Sequence, residues 1–245
     1  MIEVIEVIKQ WFQKPSIDWV AKYANKQSLV NHPLLKDFYS RPIAKGCTPI
    51  DEIEFVALDL ETTGLSAQHD DIITIGLVPF TLNRIYLNRS KHWIVRPRQA
   101  LKEDSVVIHG ITHNDILDAP DLAEVQESIL KALSGKIVVV HYRHIERSFL
   151  NQALKVRLGE GIEFPVIDTL QLETEIQQRL HGGLWNQLKG QKPQSVRLGQ
   201  ARARYGLPAY TPHHALVDAI ATAELFQAQI AHHFDRQQSV RTLWL

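Results

Sequence analysis

The chain has a single cysteine, Cys47, in 245 residues. That excludes an intrachain disulfide and any metal site built from a cysteine cluster. Net charge is also missing: Lys plus Arg and Asp plus Glu both number 27, so a polyanion cannot be held by overall attraction and would need a local patch. No apolar run approaches the length of a membrane span. The opening MIEVIEVIKQW lacks the basic segment that begins a secretory signal, and a soluble cytoplasmic protein without membrane association is the expectation. There are no internal repeats and no low-complexity tracts. What is present is a hydrophobic fraction of 44%, ample for the core of one large domain with a modest extension.

The stretch FVALDLETTGL, Phe55 to Leu65, organises the rest. By strand period, Val56, Leu58 and Leu60 point one way while Phe55, Ala57, Asp59 and Glu61 point the other. Two carboxylates then share one strand face, roughly 7 Å apart along it. Burying like charges that close is costly unless a cation sits between them, and hard oxygen ligands suit Mg²⁺ or Mn²⁺. The plain alternative is an edge strand whose acids face water. Against it stands Thr62-Thr63-Gly64, which ends the strand in a turn where a ligand can come close to the backbone.

Residues 1–50 read as a helical extension and linker. Ile2, Ile5, Ile8 and Phe12 make one apolar stripe, Ile17, Val20, Ala21 and Tyr23 begin another, and Ser40 to Pro49 reads as the linker. The extension is either a cap packed on the main domain or an arm that docks a protein partner. A main domain over residues 51–235 follows, with a short tail at 236–245. Strands are predicted at Asp71 to Val78 and Lys91 to Arg96, then a helix at Asp121 to Leu133, an apolar strand at Ile137 to His141 and a helix at Ile145 to Leu158. Further helices are predicted over Thr169 to Leu180, Val196 to Tyr205 and Pro212 to Phe234. Strands first, then alternating helix and strand, imply an α/β fold with a mixed sheet flanked by helices.

Between Ile176 and Val217 there are six Lys or Arg residues (Arg179, Lys189, Lys192, Arg197, Arg202, Arg204) and no acid, with Trp185, Tyr205 and Tyr210 among them. Cations interleaved with aromatics fit a groove for a single-stranded nucleic acid, and a solvated basic face fits equally well. Glu146 falls on the apolar stripe of its helix with Phe149, Leu150 and Ala153, where a carboxylate needs the positive helix end or a metal; serving the helix dipole alone is the plainer role. Asp218 lies beside a small helix face of Ala215, Ala219 and Ala223, and Thr211-Pro212 reads as an N-cap with proline in the first helical position. In regular helix His213 and Asp218 would be roughly 140° apart in rotation. His213 therefore joins Asp218 only through an irregular first turn.

Taken in order, these segments resemble the DEDDh 3′ to 5′ exonucleases, the DnaQ-like family that includes the proofreading epsilon subunit of bacterial DNA polymerase III. The resemblance runs from about Phe55 to Phe234. VALDLETTGL is close to the first motif, VVIHGIT at Val106 to Thr112 and IDTL at Ile167 to Leu170 are typical, and RYGLPAYTPHHALVDA at Arg204 to Ala219 resembles the third, in which His is followed five residues later by Asp. The second motif departs: in His141-Tyr142-Arg143-His144-Ile145-Glu146, Glu146 stands where the family has Asp and Tyr142 where it usually has Asn.

The resemblance implies a ribonuclease H-like mixed five-stranded sheet and two Mg²⁺ or Mn²⁺ ions held by Asp59, Glu61, Glu146 and Asp218. It implies His213 as the base, an imidazole having an ordinary pKa of about 6.5. Thr62, Gly64 and Leu65 are the candidates to meet the terminal nucleotide, and single-stranded DNA or RNA 3′ ends are the implied substrates. A non-catalytic nucleic-acid-binding or adaptor module on the same fold is the alternative, prompted by Glu146 and Tyr142.

Overall fold

Strand β1 (Phe55–Thr62) is buried along both faces, Asp59 being the one position left partly open, as befits a strand inside a sheet. The computed structural model describes residues 17–98, 116–181 and 194–245. Before β1 come helices α1 (Trp19–Leu29) and α2 (Pro33–Ser40). After it the order is β2 (Ile72–Thr81), β3 (Arg84–Ile85), β4 (Lys91–Ile94), α3 (Leu122–Leu133), β5 (Ile137–Val140), α4 (Arg143–Leu158), β6 (Val166–Asp168), α5 (Thr169–His181), α6 (Leu198–Arg204) and α7 (Ala215–His233). The expected HGIT segment, Lys189, Lys192, Trp185 and the stripe from Ile2 to Phe12 lie outside the described residues.

The strands form one mixed sheet in the order β3-β2-β1-β5-β6, with β4 also on β2. β1 runs antiparallel to β2 and parallel to β5, and β5 runs parallel to β6. The expected five strands become six because the long β2 pairs with the two-residue β3 near one end and with β4 over Thr74 to Leu77. The family's fold is otherwise as expected.

Over the sheet, α7 lies along β1 and β2, while α4 packs against β1 and β6. Ala215, Ala219 and Ala223 are fully buried, so the small helix face does come close to the strands. Beneath it Phe226 meets Phe55 and Phe80 at ring separations of 5.2 and 6.0 Å. Each such ring contributes about 1.5–3 kcal/mol by leaving water.

The two N-terminal helices share this core. Trp19, Tyr23, Phe38 and Tyr39 are buried in a run of edge-on aromatic contacts. Tyr39 Oη accepts from the Glu163 backbone at 2.9 Å, Glu160 accepts from the backbone nitrogens of Asn31 and His32, and the Arg147 guanidinium lies over Trp19. The helices are thus packed on the body. The chain's end is tied down as well: Ser239 bridges Pro49, Leu245 donates its backbone N–H to Val166, and Leu243 and Trp244 are buried. Among the described residues no helix is long and apolar enough to cross a membrane.

Candidate active site

β1 delivers Asp59 and Glu61 to the face covered by α7, and a glycine on the next strand lets α7 reach them. Gly76 pairs directly with Asp59, so its missing side chain would have pointed to the same face. A Cβ there would collide with the backbone of Ala215 and Leu216. The start of α7 therefore sits in the gap, and Asp218, in its first turn, meets the strand acids. Ligand oxygens of Asp59, Glu61 and Asp218 lie within 4.8 Å of one another.

His213 lies just before α7, in an irregular turn, and is exposed. The helix begins at Ala215 with His214 as N-cap, which corrects the expected start at Thr211-Pro212. The reason is His213, whose φ of 69° puts it in the left-handed region and breaks the helical path. Its backbone N–H donates to Asp218 Oδ2 at 2.8 Å.

The second acidic segment arrives at the end of β5. Tyr142 caps α4 with φ 95°, a strained value for a residue with a side chain. Asp168, buried at the end of β6, holds it there: its two oxygens accept from the backbone nitrogens of Tyr142 and Arg143 at 3.0 Å, from Leu170 N, and from the Arg143 guanidinium. The turn carries Glu146 inward to 3% exposure, with Oε2 lacking any hydrogen-bond partner.

The pKa values of Asp59, Glu146 and Asp218 are raised together. Burial pushes Asp59 well above the usual carboxylate range, and the neighbouring Glu146, Glu61 and Asp218 push it further. Glu146 is raised by burial first and by Asp168 as well. Asp218 is also raised, by burial and by Glu61, against the lowering bond from His213 N–H. Among the described residues no Lys or Arg pairs with Asp59, Glu146 or Asp218. An orphaned carboxylate oxygen beside three clustered acids fits a hard divalent cation, with Asp59, Glu61 and Asp218 in position to hold it and Glu146 alongside.

The strand end is tightly wound. Thr62 Oγ1 donates to the Gly64 carbonyl at 2.6 Å, and a Cβ on Gly64 would collide with the Asp70 carboxylate. Leu65 stands out at 86% exposure.

Among the described residues of the basic run, Arg202 and Arg204 are paired within the fold rather than lining a groove. Arg202 is buried and donates to Ala221 O, Pro208 O and Glu224; Arg204 donates to Glu173; the hydroxyls of Tyr205 and Tyr210 bind Glu173 and Glu224. The acids missing from that segment come from α5 and α7. Arg179 lies over Phe234, and Arg197 is exposed. Residue-by-residue reading missed Asp168, although it lies within the quoted IDTL segment, and the buried Glu173, for which the sequence carries no signal.

Comparison with known proteins agrees. The exonuclease family model of the RNase T type matches residues 56–226. DNA polymerase III subunit epsilon of Treponema pallidum is 28% identical over 183 residues, 75% of this chain and 79% of that protein. The DNA polymerase III subunit epsilon-like protein of Rhodobacter capsulatus is 31% identical over 180 residues, 73% of this chain but only 24% of that protein. In fold, the nuclease domain of 3′hExo, a DEDDh family member bound to rAMP, superposes with TM-score 0.58 at 15% identity, covering 74% of this chain and 92% of that one. Escherichia coli exonuclease I in complex with a dT13 oligonucleotide gives 0.60 at 16% identity, over 73% and 41% of the respective chains. With the matched residues spanning β1 to α7, the chain belongs to the DnaQ-like exonuclease family.

Proposed function

We propose that the protein is a metal-dependent 3′ to 5′ exonuclease that releases nucleoside 5′-monophosphates from DNA or RNA ends. The observation that carries this reading is the trio Asp59, Glu61 and Asp218 within 4.8 Å, with the partnerless Glu146 oxygen beside it. Two Mg²⁺ or Mn²⁺ ions bound there would offset this negative charge and polarise the scissile phosphodiester. His213 takes the proton from the attacking water, and Asp218 orients it through the bond to its backbone N–H. Thr62, Gly64 and Leu65 border the terminal nucleotide, the exposed Leu65 offering an apolar surface to its base.

Residues 51–235 form the catalytic unit, with residues 17–50 and 236–245 packed against it. The epsilon-named relatives support a protein partner, for which the extension is the proposed contact, and a cytoplasmic location suits such an enzyme. The adaptor reading has less support, because position 146 still carries a carboxyl group and lies close enough to Asp59 to act on it despite the longer side chain.

The test is product analysis on matched 3′-labelled DNA and RNA oligonucleotides in Mg²⁺ and in Mn²⁺. Stepwise loss of mononucleotides from the 3′ end is expected, and Asp59→Asn or His213→Ala should slow it by at least about a hundredfold. Trimming at wild-type speed in either variant contradicts the assignment.

A further inference from the structure

Across β2 from Asp59, two histidine rings lie face to face. His92 on β4 and His214, the N-cap of α7, have centroids 4.7 Å apart and planes inclined by 29°. The register explains the meeting. His92 pairs with Gly76, and Gly76 pairs with Asp59, so three adjacent strands present a carboxylate, a gap and an imidazole on one face. The backbone of Ala215 and Leu216 fills the gap, which leaves His214 over His92 on one side and Asp218 over Asp59 on the other.

His213 directly precedes the first of these anchors, and its own backbone N–H bonds to the second. A side-chain-bearing residue is disfavoured at φ 69°, so the turn would relax toward helix or extended backbone unless both flanks were held. One flank is held by the bond from His213 N–H to Asp218. On the other, the His214 carbonyl accepts from Asp218 N at 2.9 Å, while the side-chain cap from Val217 N to His214 Nδ1 is 3.5 Å long, at the limit of a hydrogen bond, so the ring stack is the better-formed of the two side-chain contacts.

We propose that His92 is a positioning residue for strand cleavage: by stacking on His214 it fixes the turn that carries the His213 imidazole to the carboxylates. This rests on the functional reading above. His92 lies outside the carboxylate cluster, and its effect passes through His214. A stack that only packed β4 on α7 would affect melting and leave the chemical step alone.

The experiment compares wild type, His92→Ala, His92→Phe and His213→Ala in the full chain, on a 3′-labelled oligonucleotide with Mn²⁺. Misplacing a general base by a fraction of an ångström should lower kcat of His92→Ala by about tenfold, with KM within about twofold of wild type. His92→Phe keeps a flat ring for the stack and should recover most of that loss. Wild-type kcat in His92→Ala, or a Phe variant as impaired as the Ala variant, overturns the proposal while leaving the exonuclease reading intact. A wild-type chain that cuts neither DNA nor RNA sinks the reading itself, and the proposal with it.

Discussion

Two parts of the molecule bury acids, and they do so in opposite ways. Glu173 on α5 is fully buried, and burial alone would raise it. Hydrogen bonds from Gln229, Arg204, Gln177 and Tyr205 outweigh that and bring it below the usual carboxylate range. At the other site burial and repulsion from neighbouring acids act together on Asp59, Glu146 and Asp218, and all three are raised. The first cluster carries its own cation in Arg204 and ties α5, α6 and α7 together. The second has carboxylates gathered by three segments, with an oxygen of Glu146 left over. An internally paired acid belongs to the architecture, whereas a convergent group of raised acids is a place for an ion from outside.

Substitutions should therefore act in opposite directions at the two clusters. Glu173→Ala should cost about 3 kcal/mol in urea unfolding, because it leaves Arg204 and the Tyr205 hydroxyl without their partner. A loss under about 1 kcal/mol would show that the network contributes little. Gly76→Val should cost about 2 kcal/mol, since the new side chain meets the backbone of α7. Cleavage should fall further than stability explains, because the displaced segment carries His213 and Asp218.

The smallest effect has the reverse sign. In metal-free protein the folded pKa of Asp59 lies above its unfolded value, so the folded state holds the proton more tightly. The penalty for the charged form is absent below about pH 4 and grows as pH rises through the folded pKa. Asp59→Asn should thus melt a few degrees higher than wild type at neutral pH, and the gain should vanish on acidification. A lower melting temperature at neutral pH would mean that Asp59 is held by a stabilising partner.

The local patterns read well from the sequence, and the long-range ones did not. Alternation in Phe55 to Glu61 found β1, and the stripe with Phe149 and Leu150 placed Glu146 inward, because each depends on a few neighbouring residues. β3 escaped because a two-residue strand has no period. Proline favours a first turn, so the sequence places the start of α7 at Pro212, while a bond to Asp218 from His213 in the left-handed region moves the start to Ala215. Arg202 and Arg204 read as either a groove or a solvated face because Glu224 and Glu173, their partners, come from other segments. His92 gave no signal at all, since its place beside the site depends on sheet register.

The direct test of a site built to receive a cation is calorimetric titration of Mn²⁺ into metal-free wild type and Asp59→Asn at neutral pH. Binding to the wild type, accompanied by proton release and lost in the variant, is the predicted result. Equal binding by both chains, or none by the wild type, would contradict it.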